Sequence, residues 1–255
     1  MYELYIYAKE LAKYLPQRKA GLRGPKPIPE YTLIYEILKK LKYNIPWRYI
    51  RHSTICREYY RKLRDNKVME RVFGKITKKL RKGKRLDRML MDSSDIVSYK
   101  TNPYVKYSGK YHNYCIKMTV LIDTNLTIID YSLDKGSASD SKILDKILRR
   151  RRFKLPYELF LDKGYENYQR RRMLKKQNCQ VRMEMKKLRY NRKRGPRFKF
   201  TDTHKKIRAD VEKVFGWIKS YATFTLSKFR YFSYLKTAFL LVISIYALKR
   251  LHQLF

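Results

Sequence analysis

The chain has 255 residues, 44% of them hydrophobic, which is enough to bury a sizeable core and excludes a wholly disordered chain. Its 62 Lys and Arg against 22 Asp and Glu give a net charge of +40, far more than solubility requires. This excess favours nucleic acid over an anionic membrane as the partner, because neutralised phosphates release counterions and the basic residues are spread along the whole chain.

The amino-terminal third of the chain predicts helices. Residues 16–29 are rich in Pro, Gly and basic side chains, which predicts an arm or linker. Three helical segments follow, separated by breaks at residues 44–48 and 65–66, with Ser53 as the N-cap of the second. Three short basic helices are typical of a helix-turn-helix DNA-binding module, although a plain bundle with a solvated basic face fits equally. We therefore predict an all-helical region over residues 1–85.

Residues 86–255 predict a mixed α/β layer. The expected order is three strands, a helix, a strand, a helix, a strand and a helix, with a final helix from about residue 234. The apolar stretch 237–248 has twelve residues, whereas a membrane-spanning helix needs about twenty, so we predict a buried core helix and no membrane. The predicted strands cover residues 89–91, 114–122, 126–133, 158–161 and 179–185.

Two acidic residues directly follow predicted strands. Asp92 follows the first strand and Asp162 follows the short buried strand at 158–161. Cutting or joining phosphodiesters with metal requires two hard cations roughly 4 Å apart, held by carboxylates. If the two strands are neighbours in one sheet, the aspartates meet, and Gly164 lets the backbone turn sharply beside them. Asp95 is the alternative to Asp92.

The predicted helix over 201–221 offers a third carboxylate. Arg208, Glu212 and Lys219 fall in a narrow wedge beside an apolar stripe. Glu212 at the rim of the core is where a metal ligand would lie, and the two cations could hold phosphate oxygens. A surface ion pair between Arg208 and Glu212 fits the same spacing. The stripe consists of Ile207, Val211, Val214 and Ile218.

Other polar residues have simpler interpretations. Asp123 falls in a predicted hairpin turn, Asp130 is interpreted as a surface residue in mid-strand, and Asp140 as a helix N-cap. The loop 189–199 mixes basic and aromatic residues, which suits DNA with unstacked bases or a solvated flexible loop. The three cysteines are far apart and form no CxxC pair, which is typical of a reduced, cytosolic protein.

The spacing Arg208-x3-Glu212-x6-Lys219 resembles the signature around the third acid of prokaryotic insertion-sequence transposases of the DDE type. Lys205 stands where that signature usually has Tyr. MDSSDIV at 91–97 resembles the first-aspartate block of the family, and LDKGYEN at 161–167 resembles the second. The blocks occur in the family's order, and the resemblance covers roughly residues 30–250.

The resemblance implies a ribonuclease-H-like catalytic fold over residues 86–255. It implies that Asp92, Asp162 and Glu212 hold two Mg²⁺ ions, for which Mn²⁺ can substitute, while Arg208 and Lys219 neutralise phosphate. The implied activity is cleavage of double-stranded DNA at element ends and strand transfer into target DNA. A homodimer or larger assembly in the cytoplasm, on the nucleoid, would follow. A metal nuclease without strand transfer, and an inactive DNA-binding relic, remain the alternatives.

Overall fold

The structure, a computed structural model, divides the chain into two compact units. The helical unit comprises Met1–Lys82 and Ile218–Phe255, and the sheet unit comprises Gly83–Trp217. Residues 218–255 therefore group with the amino-terminal helices. The predicted boundary near residue 85, between a DNA-binding region and a catalytic domain, is a functional division and stays a prediction. The structure describes residues 2–16, 27–84, 86–98, 103–109, 112–150, 152–165, 167–183 and 202–253.

The helices and strands occur in the predicted order, apart from a first helix at residues 2–12 and two short strands that the sequence analysis did not predict. The helices are α1 (Tyr2–Ala12), α2 (Glu30–Tyr43), α3 (Ser53–Arg64), α4 (Val68–Arg81), α5 (Asp140–Arg149), α6 (Tyr168–Lys176), α7 (Asp202–Lys219) and α8 (Phe232–His252). The strands are β1 (Arg88–Ser98), β2 (Lys106–Ser108), β3 (Asn113–Asp123), β4 (Ile128–Lys135), β5 (Glu158–Leu161), β6 (Gln180–Arg182) and β7 (Leu226–Ser227).

The breaks between the first helices lie where the sequence predicts them. Helix α2 stops at Asn44, whose left-handed φ of 52° lets its N–H donate to the Lys40 carbonyl. The predicted N-cap of α3 is wrong, because Ser53 is the first helical residue and His52, with φ 54°, precedes it without a side-chain cap. The buried face of α2 has the predicted periodicity and consists mainly of Leu33, Ile34, Ile37, Leu38 and Leu41.

Helix α8 is the core helix of the helical unit. Its length and composition alone would allow it to cross a membrane, but most of it is buried. It packs against α1, α3 and α4 within this unit. Because such packing removes nearly its whole circumference from water, apolar residues occupy all sides of α8, as the sequence predicts for a buried helix.

The sheet unit contains a mixed sheet in the order β4-β3-β1-β5-β6. Strand β3 pairs antiparallel with β1 along one edge, and with β4 and the short β2 along the other. Strands β5 and β6 then extend the sheet in parallel beyond β1. The predicted mixed α/β layer is confirmed, and β1, β3 and β4 form an antiparallel meander within it. Strand β2 adds three residues that the sequence did not predict.

Helices α5 and α6 contribute to the apolar core that covers one face of this sheet. Alternate residues of β1 and β5 point into this core, as the two-residue period of a strand requires. Met91 and Leu161 are the last core residues of their strands on this side, and they are paired with each other. The residue that follows each of them is polar, so polar side chains begin at the same level on both strands. The core consists mainly of Met89, Met91, Leu121, Ile143, Leu144, Ile147, Leu159, Leu161, Tyr165 and Leu174.

Candidate active site

The two predicted aspartates lie side by side. Parallel pairing of β1 with β5 ends at Met91 opposite Leu161, and the next residue on each chain is an aspartate. Neighbouring strands lie about 4.8 Å apart, so Asp92 and Asp162 occupy adjacent positions. Both side chains are half-buried. The register thus carries the first two acids that the sequence analysis selected to neighbouring backbone positions, and their shared role in metal binding stays a prediction.

Asp92 does not end its strand, and that expectation is wrong. Strand β1 continues to Ser98 because β3 pairs with it as far as Val97 opposite Cys115. Only its pairing with β5 stops at Met91. Asp92 therefore lies just past the end of the pairing with β5, while the pairing with β3 still holds its backbone in the strand. The Ser93 N–H donates to Oδ1 of Asp92 at 2.8 Å.

Gly164 lies so close to the side chain of Asp140 that there is no room for a Cβ, whereas its backbone φ is not in the left-handed region. Residues Lys163–Tyr165 form a 3-10 turn after Asp162, whose carbonyl accepts the Tyr165 N–H at 3.0 Å. A Cβ added at Gly164 would lie 2.5 Å from Oδ2 of Asp140. Since real Cβ atoms essentially never come so close, a side chain at Gly164 would push Asp140 away from the turn that carries Asp162.

Asp140 is held by a buried lysine. Lys117, on β3, is 9% exposed, and its Nζ donates to the Ala138 carbonyl at 2.6 Å and to Oδ1 of Asp140 at 3.1 Å. Asp140 is the first residue of α5, and Ser139 takes the N-cap position, so the N-cap interpretation of Asp140 is wrong. Its carboxylate instead joins β3, the start of α5 and the turn at Gly164.

A buried tyrosine lies within the electrostatic influence of these acids. The Tyr165 hydroxyl shares a hydrogen bond of 2.7 Å with Ser93 Oγ, which shares another of 2.7 Å with Thr119 Oγ1. Burial first, then the charge of Asp140, and more weakly those of Asp92 and Asp162, raise the pKa of Tyr165 well above its usual value. The hydroxyl therefore stays neutral, because burial and the three nearby carboxylates all disfavour its charged form.

The third predicted acid lies on α7. Glu212 is exposed beside the buried residues Val211 and Val214, so the predicted apolar stripe is confirmed where side chains are described. Lys219 is half-buried at the end of α7, and the side chain of Arg208 lies outside the described part of the structure. Within the described ranges, no three His, Cys, Asp or Glu residues form a group that could hold a metal. Coordination by Glu212 together with the two aspartates stays a prediction.

The remaining candidate residues either have structural roles or lie outside the residues that the structure describes. Asp123 ends β3, and its Oδ1 accepts the N–H groups of Asn125 and Thr127, as expected for a turn residue. Asp130 is fully buried and faces Arg150 and Arg152 at 3.5 and 3.4 Å, so its interpretation as a surface residue is wrong. The loop 189–199 and most of the arm 16–29 lie outside the described residues.

Sequence comparison decides the family. The profile of the transposase DDE domain matches residues 83–248. The chain belongs to the transposase DDE domain family. No curated protein matches the chain. The prokaryotic insertion-sequence origin, which the motifs suggested, stays a prediction.

Structural comparison agrees with the family. The cryo-EM structure of a piggyBac transposase synaptic complex with hairpin DNA is similar at a TM-score of 0.57 and 10% identity, over 97% of this chain and 74% of that one. At this identity the likeness concerns the fold alone, and the predicted ribonuclease-H-like class is confirmed for this DDE domain. A Mos1 paired-end complex and the Mos1 catalytic domain match only weakly, at TM-scores of 0.26 and 0.27, with 14% and 15% identity. They cover 69% and 71% of this chain, and 49% and 92% of their own chains.

Proposed function

We propose that this chain is a DNA transposase that holds two divalent cations on Asp92, Asp162 and Glu212. The observation that carries the proposal is the β1–β5 register, which sets two half-buried aspartates at adjacent positions inside the family-matched region. Carboxylate oxygens are the donors that Mg²⁺ prefers, and Mn²⁺ accepts the same donors. The donor set therefore fits the proposed ions.

The residues of the chain have distinct roles in this proposal. Bound ions of this kind activate a nucleophile and stabilise the leaving oxygen of an in-line displacement. Asp92 and Asp162 keep fixed positions because paired strands and the Gly164 turn hold their backbones. Arg208 and Lys219, on the same helix as Glu212, are proposed to neutralise phosphate oxygens.

The proposed reaction has two steps at one site. Water first attacks a phosphodiester at the end of a DNA element and leaves a 3′-hydroxyl. That hydroxyl then attacks a phosphodiester of target DNA, so that one bond forms as another breaks and no covalent enzyme intermediate is needed. The net charge of +40 supports double-stranded DNA as the partner. Joining two ends requires that they be held together, so we propose at least a homodimer, acting on an insertion sequence in the cytoplasm, on the nucleoid.

Cleavage of element-end DNA with Mg²⁺ tests the proposal. Asp162→Asn removes the charge while nearly keeping the shape, and we expect cleavage to fall at least about 10³-fold. Asp95→Asn, on the same strand as Asp92, is the matched control and should stay within about threefold of wild type. Equal cleavage by wild type and Asp162→Asn would contradict the proposal.

The products separate the alternatives. Joined element–target molecules support the transposase, whereas cleavage without joined product favours a nuclease of the same fold. Absence of any metal binding that depends on Asp92 and Asp162 would indicate the inactive relic.

A further inference from the structure

The helical unit contains a basic pocket that the proposed chemistry does not use. A cavity of about 360 Å³ lies between the end of α2, the 3-10 turn Trp47–Tyr49, α3 and the segment before α8. No acidic residue is among the described residues that line it. Such a pocket selects an anionic ligand, because a carboxylate-free lining leaves its positive potential uncompensated. The cations in its wall are Lys40, Arg48, Arg57 and Lys228.

Lys40 is the most buried of these cations. Its side chain is 8% exposed, and its Nζ lies 5.3 Å from the ring centre of Trp47 and 5.2 Å from that of Phe229. Within the described part of the chain no carboxylate pairs with this ammonium. Burial, and then the charge of Lys228, lower the pKa of Lys40 to about 8. An anion in the pocket would therefore stabilise the charged form of Lys40.

The aromatic wall of the pocket is held from behind. The ring of Tyr60 lies 5.9 Å from Trp47 and is stacked on Phe229 at 6.4 Å. Tyr60 is 1% exposed, and its hydroxyl donates to the Tyr234 carbonyl at 2.7 Å. Trp47 and Phe229 themselves are half-buried and line the pocket. The two rings therefore offer apolar surface at fixed positions.

We infer that this pocket binds one unpaired nucleotide of a DNA strand, with its base against Trp47 or Phe229 and its phosphate near Lys40. Aromatic faces bind any unstacked base, and the cations match the phosphate. Arg48, Arg57 and Lys228 are exposed at the pocket wall, where they can reach the phosphates of a continuing strand, which favours a polymer over a free nucleotide. The inference rests on the proposed DNA binding, and it adds a site away from the carboxylates.

Binding without metal tests the inference separately from catalysis. The full chain is titrated in EDTA against two labelled duplexes, one fully paired and one identical except for a single unpaired thymidine. Wild type should prefer the second probe by about 5- to 20-fold. Trp47→Ala should lose that preference while its affinity for the paired duplex stays within about twofold.

A variant at an exposed site guards against misfolding. Arg57→Gln should reduce the preference, whereas Arg61→Gln, one turn further along α3 and also exposed, should keep it. Competition by thymidine monophosphate as strong as that by the unpaired probe would overturn the assignment to a DNA strand.

Each further outcome decides one point. Equal wild-type affinity for the two probes would overturn the pocket and leave the proposed transposase standing. Retention of the preference by both Trp47→Ala and Arg57→Gln would also overturn the pocket. A preference without Mg²⁺-dependent cleavage would support the pocket and contradict the proposed function.

Discussion

Two buried lysines, one in each unit, show opposite uses of a buried charge. Lys117 in the sheet unit and Lys40 in the helical unit are 9% and 8% exposed. Lys117 donates to a backbone carbonyl and to Asp140, so its charge is matched inside the fold. Lys40 lies over two aromatic rings, and no described carboxylate pairs with it. The charge of Lys117 is therefore structural, whereas the charge of Lys40 is available to an external anion.

Removal of the structural charge should have the largest effect on stability. Lys117→Met leaves Asp140 without its cation beside the turn that carries Asp162. Because Asp140 is about a quarter exposed, we expect a loss of about 2–3 kcal/mol, below the cost for a fully buried pair. Urea unfolding of the full chain measures it. A loss below about 0.5 kcal/mol would contradict a structural role for this ion pair, because Lys117 would then behave like a surface lysine.

Gly164→Ala should cost less and act at the same place. The added Cβ would meet Oδ2 of Asp140 at 2.5 Å, so the turn or the carboxylate must shift, at a cost of about 1–2 kcal/mol. Gly74→Ala is the control, since a Cβ there meets nothing within 4 Å. If both glycine variants unfold at the same urea concentration, the close approach of Asp140 to the turn is not a constraint.

The lack of a described carboxylate partner for Lys40 should appear in the pH dependence of the free energy of unfolding. Its folded pKa of about 8 lies below the ordinary 10.5, so between these values the unfolded chain binds more protons and stability rises with pH. From pH 7.5 to 9.5, wild type should gain about 1–2 kcal/mol relative to Lys40→Met. Unfolding at the two pH values measures this difference. Parallel pH dependence of the two proteins would show that Lys40 carries no unmatched charge.

The sequence predicted neighbouring positions for the two aspartates because each acid directly follows a short apolar segment, and parallel segments in register carry such residues to the same end of their pairing, although β1 itself continues past Asp92. It could not predict the role of Asp140, whose partner Lys117 is 23 residues away on another strand. One signal was present, since Lys117 is a lone charge in the apolar run YCIKMTVLI. The buried ion pairs of Asp130 were missed because they join β4 to arginines after α5.

The pocket could not be predicted from the sequence, because its walls come from distant parts of the chain. Trp47 and Phe229 line one pocket although they are far apart in the chain, and the ring of Tyr60 contacts both of their rings. Periodicity describes one helix at a time and contains no information on such contacts. For the same reason, the grouping of residues 218–255 with the amino-terminal helices could not be predicted. The sequence of α8 predicts a buried helix, but it does not indicate which elements bury it.

Glu212 is proposed to bind the same ions as Asp92 and Asp162, and replacement of its ligand oxygen by sulfur tests this proposal. Glu212→Cys and Asp162→Cys are assayed for cleavage with Mg²⁺ and then with Mn²⁺, which accepts a thiolate more readily. Both variants should be inactive with Mg²⁺ and regain at least about tenfold with Mn²⁺. If Glu212→Cys cleaves like wild type with Mg²⁺, while Asp162→Cys shows the exchange of metals, Glu212 is not a ligand.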